Sequence, residues 1–382
     1  MKKLFLLLPL AAMLFISCEN KSNNYVENQS KEVLLKKAVV YDVDGNIIPI
    51  YTNLANATME MLATCDSMEA AYIAGHTTEM EAQQQILKQN WKDARQYWEL
   101  SESFLFGPVK YYDIDPHIDS WPLDQDKLVS LLNRIAGGEE VGIEDLTPGT
   151  TGFHALEYML FNSSPIDGQL RNVSFYDAKK MSYMCLVAQD VASQTAMLLA
   201  CWVGIDQIPQ AQQDLLEELE LEKDEFTDPY RYALTTLNSS KFKTYQSGAS
   251  EIISGCMNIA DEVGTKKMGR PHNGATTEDR NYIESPYALN SIKDFQDNIR
   301  SIKNSYEGVN GAYSISEYVQ SRNASLDAEV RQAIDDLITA IGQVPEPFAE
   351  HATGNETGAA IDKATALYDK LQEVNALINA IE

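Results

Sequence analysis

Hydrophobic positions recur at helical spacing along most of the chain. Leu54, Met61, Cys65, Met68 and Tyr72 follow one another at intervals of seven, four, three and four, which lines them along one face of a helix. Leu87, Trp91, Ala94 and Trp98 repeat the pattern in the next segment. Asp124 stands where an N-cap belongs, ahead of Leu128, Leu131, Leu132 and Ile135, and Gly137-Gly138 end that run. The same reasoning predicts a short helix over 150–161, a long one over 175–203 and a strongly acidic one over 211–222. Further helices are expected near 240–264, 290–306, 325–343 and 357–381, with Ser325 and Thr357 as N-caps. Runs of alternating polarity bounded by turn pairs are scarce, so strands are not expected. The pattern predicts an all-α protein, most simply of two helical-bundle domains, divided within 205–228 where Gly204, Pro209 and Pro229 interrupt the periodicity. Asp42-Val43-Asp44-Gly45-Asn46 reads as a turn, because the 12-residue frame and closing Glu of a calcium loop are missing. Two long irregular connections, 107–123 and 264–289, carry Tyr, His and acidic residues among Pro and Gly, a composition often found in functional loops.

The N-terminus reads as an address. Lys2 and Lys3 precede an apolar run from Leu4 to Ile16, and Ser17-Cys18 follow. The run is shorter than the ~20 residues that cross a bilayer as a helix. With Phe15 in place of the usual Leu or Val, the segment still resembles a bacterial lipoprotein signal in which Cys18 carries the lipid. The expected organisation is a signal peptide over 1–18, a flexible tether over 19–34, a first bundle over 35–205 and a second over 206–382. That places the mature chain in the cell envelope, lipid-anchored, with the outer membrane as its expected site. Cys65, Cys185, Cys201 and Cys256 form no CxxC pair, and buried free thiols are the expected state.

Charge narrows the partners. Lys+Arg is 30 and Asp+Glu is 56, a formal net charge of −26 over 382 residues. Such a surface repels phosphate backbones, so no nucleic-acid partner is expected, and cations are the natural attraction. No HExxH, GxSxG, P-loop or GxGxxG stretch occurs.

The informative stretch is Gly152-Phe153-His154-Ala155-Leu156-Glu157. On a helix, positions three apart share a face, so His154 and Glu157 can hold one cation between imidazole nitrogen and carboxylate oxygen. Around it stand Trp91, Arg95 and Trp98, then Glu102 to Pro108, then Trp121-Pro122-Leu123-Asp124. Downstream come Glu284-Ser285-Pro286-Tyr287, Asn290-Ser291, Asp294, Asn298 and Tyr306-Glu307-Gly308. This ordered set resembles the imelysin-like family over about residues 35–380.

The resemblance implies an all-helical, two-bundle protein of the bacterial envelope associated with iron uptake, with Gly152, His154 and Glu157 at the family's GxHxxE metal site. Related iron-transport proteins add an upstream Glu and an Asp, matched here by Glu102 and Asp124. The implied metal set is therefore His154, Glu157, Glu102 and Asp124, with Arg95 offsetting carboxylate repulsion. Gly152, Trp121, Glu284, Ser285 and Asn290 are expected in the cleft or behind the ligands. A hard, oxygen-rich set suits iron first and zinc second. The expected partners are the metal ion or an iron-bearing ligand, the membrane through the lipid, and an outer-membrane transporter. The alternative is a metallopeptidase, as the family's peptidase label suggests. His117, with Asp113, Asp115 and Asp119, reads as a solvated acidic loop.

Overall fold

The computed structural model describes residues 30–161, 171–218 and 228–381. Among the described residues the protein is all helical, with no strand. Cys18 and the rest of the expected signal peptide lie outside them.

Helix α1 (Lys31–Asp42) passes through a π-helical turn (Val43–Ile47) directly into α2 (Ile48–Ile73). The stretch expected to be a turn is thus a continuous helix carrying one wide turn, and residues 31–34, expected in the tether, are its first turn. Helix α3 (Thr77–Glu99) returns along α2, so that Asn90 bonds Thr64. Helices α4 (Gln125–Ala136) and α5 (Gly152–Leu160) follow, and then α6 (Ala178–Val203) and α7 (Gln210–Glu218). Helices α2, α3 and α6 form the first bundle, and α4, α5 and α7 pack on it. Helix α6 is long and apolar enough to cross a membrane, but 83% of its apolar window is buried in the protein, as a core helix requires. Its Thr195 meets Thr58 of α2 through a buried hydroxyl pair 2.6 Å apart.

The second bundle consists of α8 (Tyr245–Glu262), α9 (Ser291–Glu307), α10 (Ile315–Arg322), α11 (Ala324–Ile341) and α12 (Asn355–Asn379). Helix α1 packs on α8 and α10, so the first helix of the chain contributes to the second bundle. Helix α9 in turn lies against α3. The two bundles are joined by polar bonds as well as apolar contact: Asn46, in the first π turn, bonds Ser305 at 3.2 Å, and the Ser103 amide bonds Ser301 at 3.0 Å. Trp91, Trp98 and Trp202 are fully buried, and truncating such a residue costs about 3–5 kcal/mol.

Three local expectations change. Asn323, not Ser325, caps α11, its side chain accepting the Leu326 amide. Gly354 precedes α12, and Thr357 lies buried one turn in, its hydroxyl donating to the His351 carbonyl. The connection 264–289 is not irregular throughout. It opens with a second π turn (Val263–Lys267) continuing α8, and short helices Gly269–Asn273 and Thr277–Arg280 follow.

Asp42, at the first π turn, is buried with Oδ2 unpartnered, and Asn46 donates to Oδ1 at 2.9 Å. Burial pushes its carboxyl from 3.8 up to about 7, against the opposing Asn46 bond. A carboxyl raised in the folded state binds its proton more tightly there than in the unfolded chain. Stability therefore falls as pH rises from about 4 to about 7 and stays reduced above. Asp42→Asn removes this term. The variant should gain up to about 4 kcal/mol at pH 8 and little at pH 4, read from urea unfolding of both proteins at the two pH values. A gain equal at both would contradict the assignment.

Candidate metal centre

Helix α5 begins with Gly152 at φ +81°, where a Cβ would stand 2.1 Å from the Ile118 carbonyl oxygen. The glycine lets the helix start press against the short helix Ile114–Ile118, and Asp119 follows that helix directly. His154 and Asp119 meet as a result: Nε2 lies 3.2 Å from Asp119 Oδ1, though off the direction of a hydrogen bond.

The other ring nitrogen, Nδ1, donates to Glu157 Oε2 at 3.1 Å. Glu157 is fully buried, and its Oε1 accepts the amides of Tyr287 at 2.9 Å and Ala288 at 2.8 Å. Glu157 therefore orients His154 and ties α5 to the 284–288 segment, leaving Nε2 as the face aimed at the cluster. Trp121 covers the imidazole, ring centroids 4.5 Å apart.

Arg95, wholly buried on α3, organises the carboxylates. It pairs with Glu99 one turn on, with Asp119, and with Glu284 at 2.7 Å, and its Nε lies 3.6 Å from Asp294. Trp98 donates its indole N–H to Asp119 Oδ2 at 2.7 Å. Ser285 and Asn290 both bond Asp294, and Asn298 bonds Glu99. Lys267, at the end of the second π turn, lies 3.1 Å from Glu284 and 3.5 Å from both Glu99 and Glu102.

Six carboxylates (Glu99, Glu102, Asp119, Glu157, Glu284 and Asp294) thus share three cationic groups: Arg95, Lys267 and His154 when protonated. Burial works against the His154 cation, but its contacts with Asp119 and Glu157 outweigh burial and push its pKa up to about 9. Burial also opposes ionisation of Asp119, yet Arg95 and His154 hold its carboxyl well below the usual range. Burial raises Glu102, Glu284 and Asp294 despite their cationic neighbours. The nest is short of positive charge.

Ligand-type atoms of Asp119, His154 and Glu284 lie within 4.8 Å of one another, and so do those of Glu99, Glu102 and Asp119. In the first set His154 Nε2 and Glu284 Oε2 have no hydrogen-bond partner. One nitrogen and two oxygens suit Fe²⁺, Zn²⁺ or Mn²⁺. Asp119 and Glu284 line a cleft of about 650 Å³ that also has Glu102, Asp115, Lys267 and Tyr282 among its walls.

Two of the four expected ligands, Asp124 and Glu157, sit elsewhere than a ligand position. Asp124 is exposed and caps α4, its Oδ1 accepting the Lys127 amide at 3.0 Å. Glu157 stands behind His154 with both oxygens engaged. Ser285 and Asn290, expected in the cleft or behind the ligands, both bond Asp294. Glu102 belongs to the Glu99/Asp119 set, and Glu284, in the cleft wall, also belongs to the Asp119/His154 set. Gly152 and Trp121 adjoin His154, and Arg95 pairs with Asp119 beside it. His117 pairs with Asp190 at 2.9 Å, not with the acids of its own loop.

Asp119, Glu99, Lys267 and Asp294 were not among the expected site residues. Glu99 was within reach of sequence, four residues after Arg95 on one helix face. Asp119 and Lys267 arrive from the two long connections, whose paths periodicity does not specify.

Gly152→Ala should cost appreciably more stability than Gly75→Ala. Both glycines have positive φ, worth about 1–3 kcal/mol for a side chain, but nothing stands within 4 Å of a Cβ at Gly75. Thermal unfolding of the two variants isolates the Ile118 overlap, and equal losses would show that α5 yields freely there.

A model of the family described as Imelysin matches residues 47–378. "Iron-regulated protein A" of Synechococcus elongatus is 23% identical over 326 residues, covering 84% of this chain and 79% of the relative. The fold is similar to the crystal structure of a protein from Parabacteroides distasonis assigned as an iron-regulated protein A precursor. The TM-score is 0.74 at 24% identity, with coverage of 91% of this chain and 96% of that one. An imelysin-like protein from Psychrobacter arcticum shares the fold at TM-score 0.56 and 14% identity, over 92% of this chain and 95% of its own. The GxHxxE helix, its buried arginine and the two-bundle frame thus stand within a family match across most of the chain, and the protein belongs to the imelysin family.

Proposed function

We propose that this protein binds a transition-metal ion, iron first, through His154 Nε2, Asp119 and Glu284, and serves iron acquisition. The observation that carries the reading is the convergence of these three groups, with Nε2 and Glu284 Oε2 left without hydrogen-bond partners inside a nest short of positive charge. The names of the Synechococcus and Parabacteroides relatives supply the link to iron. Glu157 would hold the imidazole in the tautomer that presents Nε2 to the metal. A hydrolytic centre needs a base free to activate water. Both oxygens of Glu157 are already engaged, which favours binding over peptide hydrolysis. In this reading Cys18 carries the lipid, the protein sits in the cell envelope at the outer membrane, and a membrane transporter is its onward partner.

Calorimetric titration of metal-stripped residues 19–382 with anaerobic Fe²⁺, and with Zn²⁺ for comparison, tests the binding. His154→Ala and Glu284→Gln should each weaken it at least about 100-fold, given that even supporting residues behind metal ligands are worth about 10–100-fold. Asp124→Ala should bind as wild type and lose only the ~1 kcal/mol of a helix cap. No binding by folded wild type would overturn the reading. Palmitate labelling of the full chain, abolished by Cys18→Ser, checks the anchor, and an unlabelled wild type would rule it out.

A further inference from the structure

The two sets of converging groups share Asp119. One contains His154 and Glu284, the other Glu99 and Glu102. A carboxylate common to two such sets is the usual arrangement of a paired cation centre. The second position is already filled. Lys267 Nζ lies 3.1 Å from Glu284 Oε1, 3.5 Å from Glu99 Oε2 and 3.5 Å from Glu102 Oε1, so its ammonium sits among the carboxylates that a second ion would use. We propose that Lys267 is a tethered counter-cation occupying the second of two cation positions, so that the centre holds one metal ion and one lysine rather than two metal ions.

An ammonium suits this place. It is a compact charge with three donors and no acceptor, and three glutamates surround it. The side chain is 8% exposed. Burial disfavours its charge, but Glu102, Glu284 and Glu99 outweigh burial and hold its pKa well above the ordinary value. The backbone delivers it deliberately. Lys267 closes the π turn that continues α8, and π turns inserted in helices often mark functional positions. A second observation points to a cation beyond the acidic cluster itself: Glu284 is 98% buried (2% exposed), lines the cleft, and keeps Oε2 unpartnered beside the lysine. Glu102, Asp119, Lys267 and Glu284 all line that cleft, so an ion from solvent can reach the position once the ammonium is removed.

This rests on the metal reading above, and Mn²⁺ stoichiometry separates the two. Wild type, Lys267→Met and Lys267→Arg are loaded with Mn²⁺, counted by native mass spectrometry and examined by electron paramagnetic resonance. Methionine keeps an unbranched, flexible side chain one atom shorter and removes its charge. The expected result is one ion in wild type, one in K267R, and two in K267M with the spectrum of a spin-coupled pair. Buried carboxylates left without their cation are destabilising, so metal-free K267M should melt below wild type and recover on loading. One ion in both wild type and K267M, two in wild type, or none in either protein overturns the proposal. None in wild type and one in K267M supports the lysine's role while removing the metal reading of the native centre. Should K267M fold only when refolded with Mn²⁺, that dependence itself supports the proposal. K267R keeps it falsifiable without K267M, because two ions bound there would overturn it.

Discussion

The buried guanidinium of Arg95 is the interaction on which the centre depends. Fully withdrawn from water, it draws Glu99, Asp119 and Glu284 around one planar fork and holds Asp294 beside its Nε. Those partners come from α3 itself, from the connection after the short helix Ile114–Ile118, from the 284–288 segment and from α9. A buried charge of this kind tolerates no missing partner, since removing one side of such a pair typically costs about 3–5 kcal/mol. The arginine therefore sets the relative positions of four chain segments at once, and the two bundles meet where it lies.

The remaining supports act through backbone shape. Gly152 lets α5 start against the Ile118 carbonyl, which brings His154 within reach of Asp119. Glu157 accepts two amides of the 287–288 segment, so the same motif that orients the imidazole also ties the first bundle to the second. The π turn at Val263–Lys267 swings a lysine into the nest, and the π turn at Val43–Ile47 delivers Asn46 to Ser305. Both wide turns thus place polar side chains at the junction between bundles, where a regular helix would have placed the residue one position along.

Charge accounts for the chemistry. Six carboxylates, four of them buried, outnumber their cations, so several are pushed toward protonation. Acids outnumber bases in the lining of the cleft beside the nest, a field that favours cations. The metal-binding role proposed above, and the lysine proposed as its built-in counter-ion, both rest on this imbalance.

Periodicity and capping residues were enough to determine the helical class, the positions of most long helices and the pairing of His154 with Glu157 on one helix face. These depend on neighbours three or four residues apart, which sequence displays directly. The motif resemblance added the family and pointed to Arg95, Trp121 and Glu284. The identity of the converging groups was a tertiary matter. Asp124 is legible in sequence as the N-cap of α4, but nothing local tells which acid near Trp121 joins His154. Only the path of the 107–123 connection shows that Asp119 enters the nest while Asp124 stays outside it as a cap. Lys267 lies more than a hundred residues beyond His154, and a π turn, invisible to a 3.6-residue period, aims it inward. Local energetics decide which segments are helices. Which charges share a buried space depends on long-range packing, because only the folded chain excludes the water that would otherwise keep them apart.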